Sequence, residues 1–463
     1  MRIRNLFNFK IGLISLFFIF IIVFFLESNA SALSIEDEKK LGEVVFEQVK
    51  RQFEFVDDDF AKKYIEELGN HLTSALETRY FPYHFHIINN SSLNAFAVPG
   101  GHIFIFSGLI EIMDSADELA GVLSHEIAHT SARHIAHRIE LSKKIGLATL
   151  AGTLAGVLIG GEVGGLLSAG STAAGIQAQL HYSRNDEREA DILGFKYAWA
   201  TGFDTSGLVT ILEKMERYQL GGTDQIPPYL LSHPTGPERM ANLEIMIQKT
   251  GPKRQDTSAE KYRVQFPFFK TILKAKYGNP EIEETFFNNI LANHPNDKQA
   301  LFGLGLISQR ELRFPASIDY LQRALQRDPE ALPILKSLGE TYQMKGDHEK
   351  AIDILEKARQ FDREDRSTIY LLGLSHLELE HYQQAIQLFE KLTYMDPQNN
   401  QVYYQLGIAY GRQNKHARAH YYFGIFFKNE MKKSKADFHF NKARELAGDD
   451  RELVKLIDQA TSK

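Results

Sequence analysis

The sequence predicts a mainly α-helical chain in two parts: an α+β domain with a small sheet, then an all-α repeat solenoid. Three observations carry this reading. Glycines recur every 34 residues in the C-terminal third, at Gly305, Gly339, Gly373 and Gly407. The stretch Ala116–Ile139 keeps apolar residues at helical spacing. Upstream of it, Tyr83–Asn89 alternates like a strand, and Asn94–Ile110 reads as strand, Pro99-Gly100-Gly101 turn, strand.

Composition bounds the answer. The chain has 463 residues, 43% of them hydrophobic and 24% charged, which excludes wholesale disorder and allows two or three domains. A net charge of −6 argues against a nucleic-acid partner. There is no cysteine. That excludes disulfide frameworks, thiolate zinc fingers, iron–sulfur clusters, thiol nucleophiles and lipoprotein anchoring, so any metal must be held by His, Asp or Glu.

The first residues carry Arg2, Arg4 and Lys10, followed by an uncharged apolar run from Ile11 to Leu26 and small-residue cleavage sites ending at Ala30 and Ala32. This is the pattern of a cleavable secretory signal spanning 1–32. The rival, an uncleaved anchor, is disfavoured because the run falls short of the ~20 residues that span a bilayer. Removing the segment takes away three bases and one acid, leaving a net charge of −8. An exported chain without cysteine fits a bacterial periplasm, where disulfides are permitted and not required.

In the C-terminal third, twelve residues after each repeating glycine come Ser317, Ala351, Ala385 and Ala419. Twenty-four after come Pro329, Arg363, Pro397 and Met431. The clearest copies are Ser337–Tyr342 (SLGETY) and Gln405–Tyr410 (QLGIAY). Period and pattern are those of tetratricopeptide repeats: small residues let two antiparallel helices approach, and proline closes the second. Residues 263–463 are assigned to this array, with 434–463 as its cap. The polar stretch 251–262 reads as a linker and 33–250 as one N-terminal domain. Within that domain, 145–180 is glycine-rich and almost uncharged. It reads as an apolar hairpin over the domain body and in reach of a membrane surface; an ordinary buried hairpin is the alternative.

The chemistry centres on His125-Glu126-Ile127-Ala128-His129. Histidines at i and i+4 share a helix face and can reach one ion, with Glu126 beside them as a base toward water activated by it. A catalytic zinc needs a third protein ligand. The spacing to a further histidine that metzincins use falls on Ala132 and Ile135, which excludes that class. Downstream, Glu187 and Asp191 stand four apart on another helical stretch, Ser183–Ala200. Glu187 supplies the missing ligand. Asp191 accepts the N–H of a ligating imidazole and fixes its tautomer. Glu189 reads as solvated, and His134 and His137 as surface residues on the continuing helix.

Together, H-E-x-x-H, then S-R-x-x-E-x-E-A-D from Ser183, then Ser232-His233-Pro234 with Arg239, and Asn94–Leu109 (NAFAVPGG…GL), resemble the M48 metallopeptidases. The resemblance implies a gluzincin-like zinc endopeptidase with one Zn2+ per chain. His125, His129 and Glu187 would be its ligands and Glu126 its catalytic base. It also implies protein partners: misfolded envelope proteins, outer-membrane β-barrel proteins and their assembly machinery. His233 and Arg239 match the family's segment near the active site. His233, on a proline-rich loop, either fills the fourth metal position and holds the enzyme latent, or hydrogen-bonds the oxyanion while Arg239 neutralises charge. Asn94, Ala95 and Phe96 are expected on a strand that pairs with an extended substrate.

Overall fold

The computed structural model describes residues 33–141, 182–220, 227–234, 237–250 and 257–462. The expected signal segment 1–32 and the apolar hairpin 145–180 lie outside the described residues. The chain divides into two compact units, residues 1–267 and 268–463. Among the described residues no helix is long and apolar enough to cross a membrane.

The first unit begins with α1 (Ile35–Gln52), whose N-cap Ser34 accepts from the Asp37 amide; acids fill its first turn and Lys50 and Arg51 its last, matching the helix dipole. Helix α2 (Asp59–Thr73) follows, capped by Asp58. Three strands come next, β1 (His84–Ile88), β2 (Ala95–Ala97) and β3 (His102–Phe106), in the order β1-β3-β2. β1 runs parallel to β3, and β2 antiparallel to it. A one-turn 3-10 segment at Pro99–Gly101 joins β2 to β3; Gly100 and Gly101 take φ of 83° and 97°, which a side chain would strain. One face of the sheet buries Phe96, Phe104 and Phe106 against Leu41, Val45 and Val49 of α1.

After the short α3 (Ser107–Glu111) comes α4 (Ala116–Ser131), buried along nearly its whole length. Leu119, Val122, Leu123 and Ile127 are fully buried, each contributing about 1.5–3 kcal/mol of apolar burial. The expected single helix to Ile139 is instead broken. α4 stops at Ser131, Arg133 takes a left-handed φ of 57°, and α5 (His134–Leu141) begins anew. The break is held by Arg133, which ion-pairs with the buried Glu38 and donates to the Leu33 carbonyl at 2.5 Å.

α6 (Arg184–Ala200) opens with a capping box between Ser183 and Asp186 and packs along α4. Gly194 makes that approach close: a Cβ there would stand 3.0 Å from the His125 amide nitrogen. α7 (Ser206–Leu220), α8 (Pro228–Ser232) and α9 (Pro237–Thr250) complete the unit, and α10 (Glu260–Tyr277) begins in it. The start of α10 is fastened there. Tyr262 Oη donates to the Glu67 carbonyl at 2.9 Å, and Arg263 pairs with Asp117 at 2.7 Å.

The second unit is a run of antiparallel helix pairs from α11 (Pro280–Asn293) to α21 (Arg451–Thr461). The periodic glycines have one physical cause. A Cβ at Gly305, Gly339, Gly373 or Gly407 would stand 2.5–2.7 Å from the Leu or Phe side chain of the partner helix sixteen residues on. The last two helices, α20 (Lys433–Ala447) and α21, close the array by burying Leu453 and Ile457 against Ala436, Phe440 and Ala443.

Gly194→Leu should push α6 off α4. The expected cost is about 1–3 kcal/mol, read as an earlier unfolding transition of the first unit in urea.

Candidate metal centre

Two apposed helices and one short segment build the site. α4 presents His125 and His129 one turn apart, α6 presents Glu187, and His233 follows directly after α8. All four are buried, and one donor atom from each lies within 4.8 Å of the others. His125 Nε2 and His129 Nε2 are 3.0 Å apart, and His233 Nδ1 is 3.3 Å from His125 Nε2 and 3.0 Å from Glu187 Oε1. Glu187 Oε1 is 3.4 Å from His129 Nε2. Donors held at about 2.0–2.1 Å around a tetrahedral ion stand roughly 3.3–3.4 Å apart. The group therefore fits a single small cation. His125 Nε2 faces two other imidazole nitrogens yet, with Nδ1 donating to Asp191, has one lone pair for both. A shared cation satisfies all of them.

The surrounding groups carry the electrostatics. Asp191 Oδ1 accepts from His125 Nδ1 at 3.0 Å, leaving Nε2 to face the centre. Arg239 grips Asp191 through Nε and Nη2, both at 2.8 Å, and its Nη1 reaches Glu187 Oε2 at 2.9 Å. Burial would raise the Glu187 carboxyl, but His233 and Arg239 hold it well below the ordinary range. Burial also works against charge on His125, yet Asp191 and Glu187 outweigh it and hold that imidazole up to about 9. Burial drives His129 well below the usual histidine range, against the pull of Glu187. Glu126 is fully buried, and that burial raises its carboxyl. His233 Nε2 stands 3.5 Å from its Oε1, and the Ala97 backbone also holds the carboxyl down against that burial.

The structure thus brings together His125, Glu126, His129, Glu187, Asp191, His233 and Arg239. The residues expected to pair with substrate lie on and beside β2. Asn94, Ala95 and Phe96 are each 0% exposed. β2 is an edge strand, but the Asn94 carbonyl accepts from Phe106 and the Val98 amide donates to His102, so Asn94, Phe96 and Val98 turn their backbone toward β3. Phe96 puts its ring into the core against Phe104. Of the three, Ala95 alone has its backbone on the outer edge, and next to it the Leu93 carbonyl already accepts from the Tyr229 amide of α8 at 3.2 Å.

His134 needs correction. It is buried rather than at the surface, and its Nδ1 stands 2.9 Å from Nδ1 of His129. Glu189 is mostly exposed but stands 3.4 Å from His134 Nε2. Two tyrosines that the sequence did not single out frame the centre. Tyr182 stacks on His129 with ring centroids 3.7 Å apart, and Tyr229 on His233 at 4.6 Å. Their positions gave a usable signal, since Tyr182 directly precedes the Ser183 cap and Tyr229 lies one turn before His233.

Removing Arg239 would take from two buried carboxylates their one permanently charged partner and leave them to the imidazoles. Arg239→Leu is expected to cost the first unit about 3–5 kcal/mol, measured by urea denaturation. Arg239→Lys should restore only part of that, because an ammonium lacks the two-pronged grip on Asp191.

Residues 45–247 match peptidase family M48, and residues 284–331 and 370–444 match the tetratricopeptide repeat. A further match, to the family described as anaphase-promoting complex, cyclosome, subunit 3, covers 317–392, inside the repeats. The beta-barrel assembly-enhancing protease of Escherichia coli (strain K12) is 30% identical over 241 residues, 51% of this chain and 49% of that protein. The protein of that name in Yersinia pestis is 28% identical over 260 residues, 55% of this chain and 52% of its own length. The mitochondrial metalloendopeptidase OMA1 of Schizosaccharomyces pombe is 27% identical over 186 residues, 40% of this chain and 52% of that protein. The chain thus spans about half the length of the curated relatives it matches. With the H-E-x-x-H helix and the glutamate helix apposed as described, the chain carries a peptidase family M48 domain followed by tetratricopeptide repeats.

Proposed function

We propose that this chain is a zinc-dependent endopeptidase of the bacterial periplasm, held latent at rest by His233. Its substrates would be misfolded or stalled envelope proteins, with outer-membrane barrel proteins the class suggested by the relatives' name. In this reading the protease domain is 33–250, and the repeats of 263–463 bind clients or the assembly machinery. The observation that carries the proposal is the grouping of His125, His129, Glu187 and His233, with four contacts of 3.0–3.4 Å between donor atoms and every donor within 4.8 Å of the others.

Zinc bound by this group would supply Lewis acidity toward a peptide carbonyl and water. The chain's own residues do the rest. Glu126 takes the proton of the attacking water and delivers it to the leaving amine; its raised pKa suits both transfers. Asp191 keeps His125 in the tautomer whose Nε2 faces the ion, and Arg239 holds Asp191 and Glu187 in register.

Latency rests on two features of one segment. His233 takes the donor position that a substrate carbonyl or water needs, and Tyr229 occupies the strand edge at Leu93. Both lie between Pro227 and Pro234, so one displacement would open both. The same closure supports a second reading, an assembly adaptor whose protease site is normally silent.

Glu126→Gln is expected to retain zinc by metal analysis and lose roughly 10²–10⁴-fold in casein cleavage, whereas Glu187→Ala should lose zinc itself. Near wild-type cleavage by the first variant, or normal zinc in the second, would overturn these assignments. His233→Ala should degrade casein or itself faster than wild type. If His233 instead stabilised the oxyanion, the same variant would be slower by roughly 10²-fold.

A further inference from the structure

Both imidazoles that α4 turns to the centre are held from behind, by different partners. His125 faces the centre with Nε2 and gives its Nδ1 proton to Asp191. His129 also faces the centre with Nε2, 3.0 Å from His125 Nε2 and 3.4 Å from Glu187 Oε1. Its other nitrogen, Nδ1, stands 2.9 Å from Nδ1 of His134. The far nitrogen of His134, Nε2, stands 3.4 Å from Glu189 Oε2. Each ring thus meets its two neighbours through two different nitrogens.

One placement of protons serves all these contacts with neutral rings. An imidazole that offers Nε2 to a cation as a lone pair carries its proton on Nδ1. For His129 the acceptor at that position is His134 Nδ1. His134 then carries its own proton on Nε2 and donates it to Glu189. Two N–H groups, or two lone pairs, facing each other at 2.9 Å would leave the pair unbonded. An imidazole also suits the charge balance. Asp191 is buried and gripped by Arg239. A further buried carboxylate behind His129 would need a further buried cation. His134 instead passes the hydrogen bond outward, to a carboxylate that is 61% exposed and solvated by water.

The backbone departs from regular helix to make the contact. On an unbroken helix a residue five places on points ~140° away from His129. The left-handed Arg133, at φ 57°, ends that course, and the chain restarts as α5 with His134 at its head. A non-glycine residue in this region is strained and persists where its surroundings fix it. Here the buried Glu38 and the Leu33 carbonyl do so. We propose that His134 is a positioning residue of the metal centre, fixing the tautomer and ring orientation of His129, with Glu189 as its outer anchor. The inference rests on the zinc reading above and gives that centre a second supporting arm besides Asp191 and Arg239.

The test is competition between the full chain and a chromophoric chelator for Zn(II), with the visible spectrum of the Co(II)-loaded chain in parallel. His134→Phe keeps a buried ring but removes the acceptor. Zinc should then bind roughly 10–100-fold more weakly, and the Co(II) bands should shift. His134→Asn, whose Oδ1 stands in for Nδ1, should recover most of that loss. A residue that merely filled space would give the opposite order, since phenylalanine fills the buried volume better than asparagine. Glu189→Ala, at an exposed position, should weaken zinc by a smaller factor, and full affinity there would overturn the outer link. Unchanged affinity in His134→Phe, or a loss that His134→Asn does not recover, would overturn the inference while leaving the zinc centre in place. A wild type that binds no zinc, or whose zinc binding survives Glu187→Ala undiminished, would instead overturn the reading on which it rests.

Discussion

The structure of the first unit depends on how three acidic side chains, Glu126, Glu187 and Asp191, are kept out of water. Each is at most 5% exposed. Ionised carboxylates in such surroundings are tolerated only when cations and hydrogen bonds surround them. Arg239 answers for Asp191 and part of Glu187, and three imidazoles converge on the remainder. The local architecture follows from that need. α4 and α6 must touch closely enough for His125 to reach Asp191, hence Gly194 at the crossing. The Ser183 cap fixes the start of α6, so that Glu187 and Asp191 share the face turned to α4.

Closure and charge balance are linked through one segment. His233 completes the ring of donors, and Arg239 lies six residues beyond it, so the chain that supplies the fourth donor also leads to the balancing guanidinium. Tyr229 and Tyr182 stack on the imidazoles and exclude solvent. A low-dielectric surround of this kind strengthens each charge interaction inside it. Opening the segment for an extended peptide would therefore expose the centre and weaken those interactions together.

Much of this was legible in residues whose spacing is forced by packing. The glycines of the 34-residue period sit where a Cβ would strike the partner helix, so the period survives even where other repeat positions vary. His125 and His129, like Glu187 and Asp191, stand four apart because one helix face must hold both. What stayed hidden depends on tertiary partners. Nothing in the apolar pattern through Ile139 marks the break at Arg133, since that left-handed residue is not glycine and is held by Glu38 from another helix. His134 looked like a surface residue until the break turned it toward His129. Alternation alone also does not say which side of a three-residue strand bonds to β3, so the outward face of Ala95 was not legible. Tyr182 and Tyr229 are single aromatics without periodicity, marked in the sequence only by their neighbours Ser183 and His233.

In the proposed resting state His125, His129, Glu187 and His233 would together hold one zinc. X-ray absorption at the zinc edge, on the full chain prepared without chelators and loaded with one equivalent of zinc, tests this most directly. A four-coordinate spectrum with three imidazoles and one carboxylate is expected, reduced to two imidazoles in His233→Ala. A wild-type spectrum with two imidazoles, unchanged by that substitution, would contradict it.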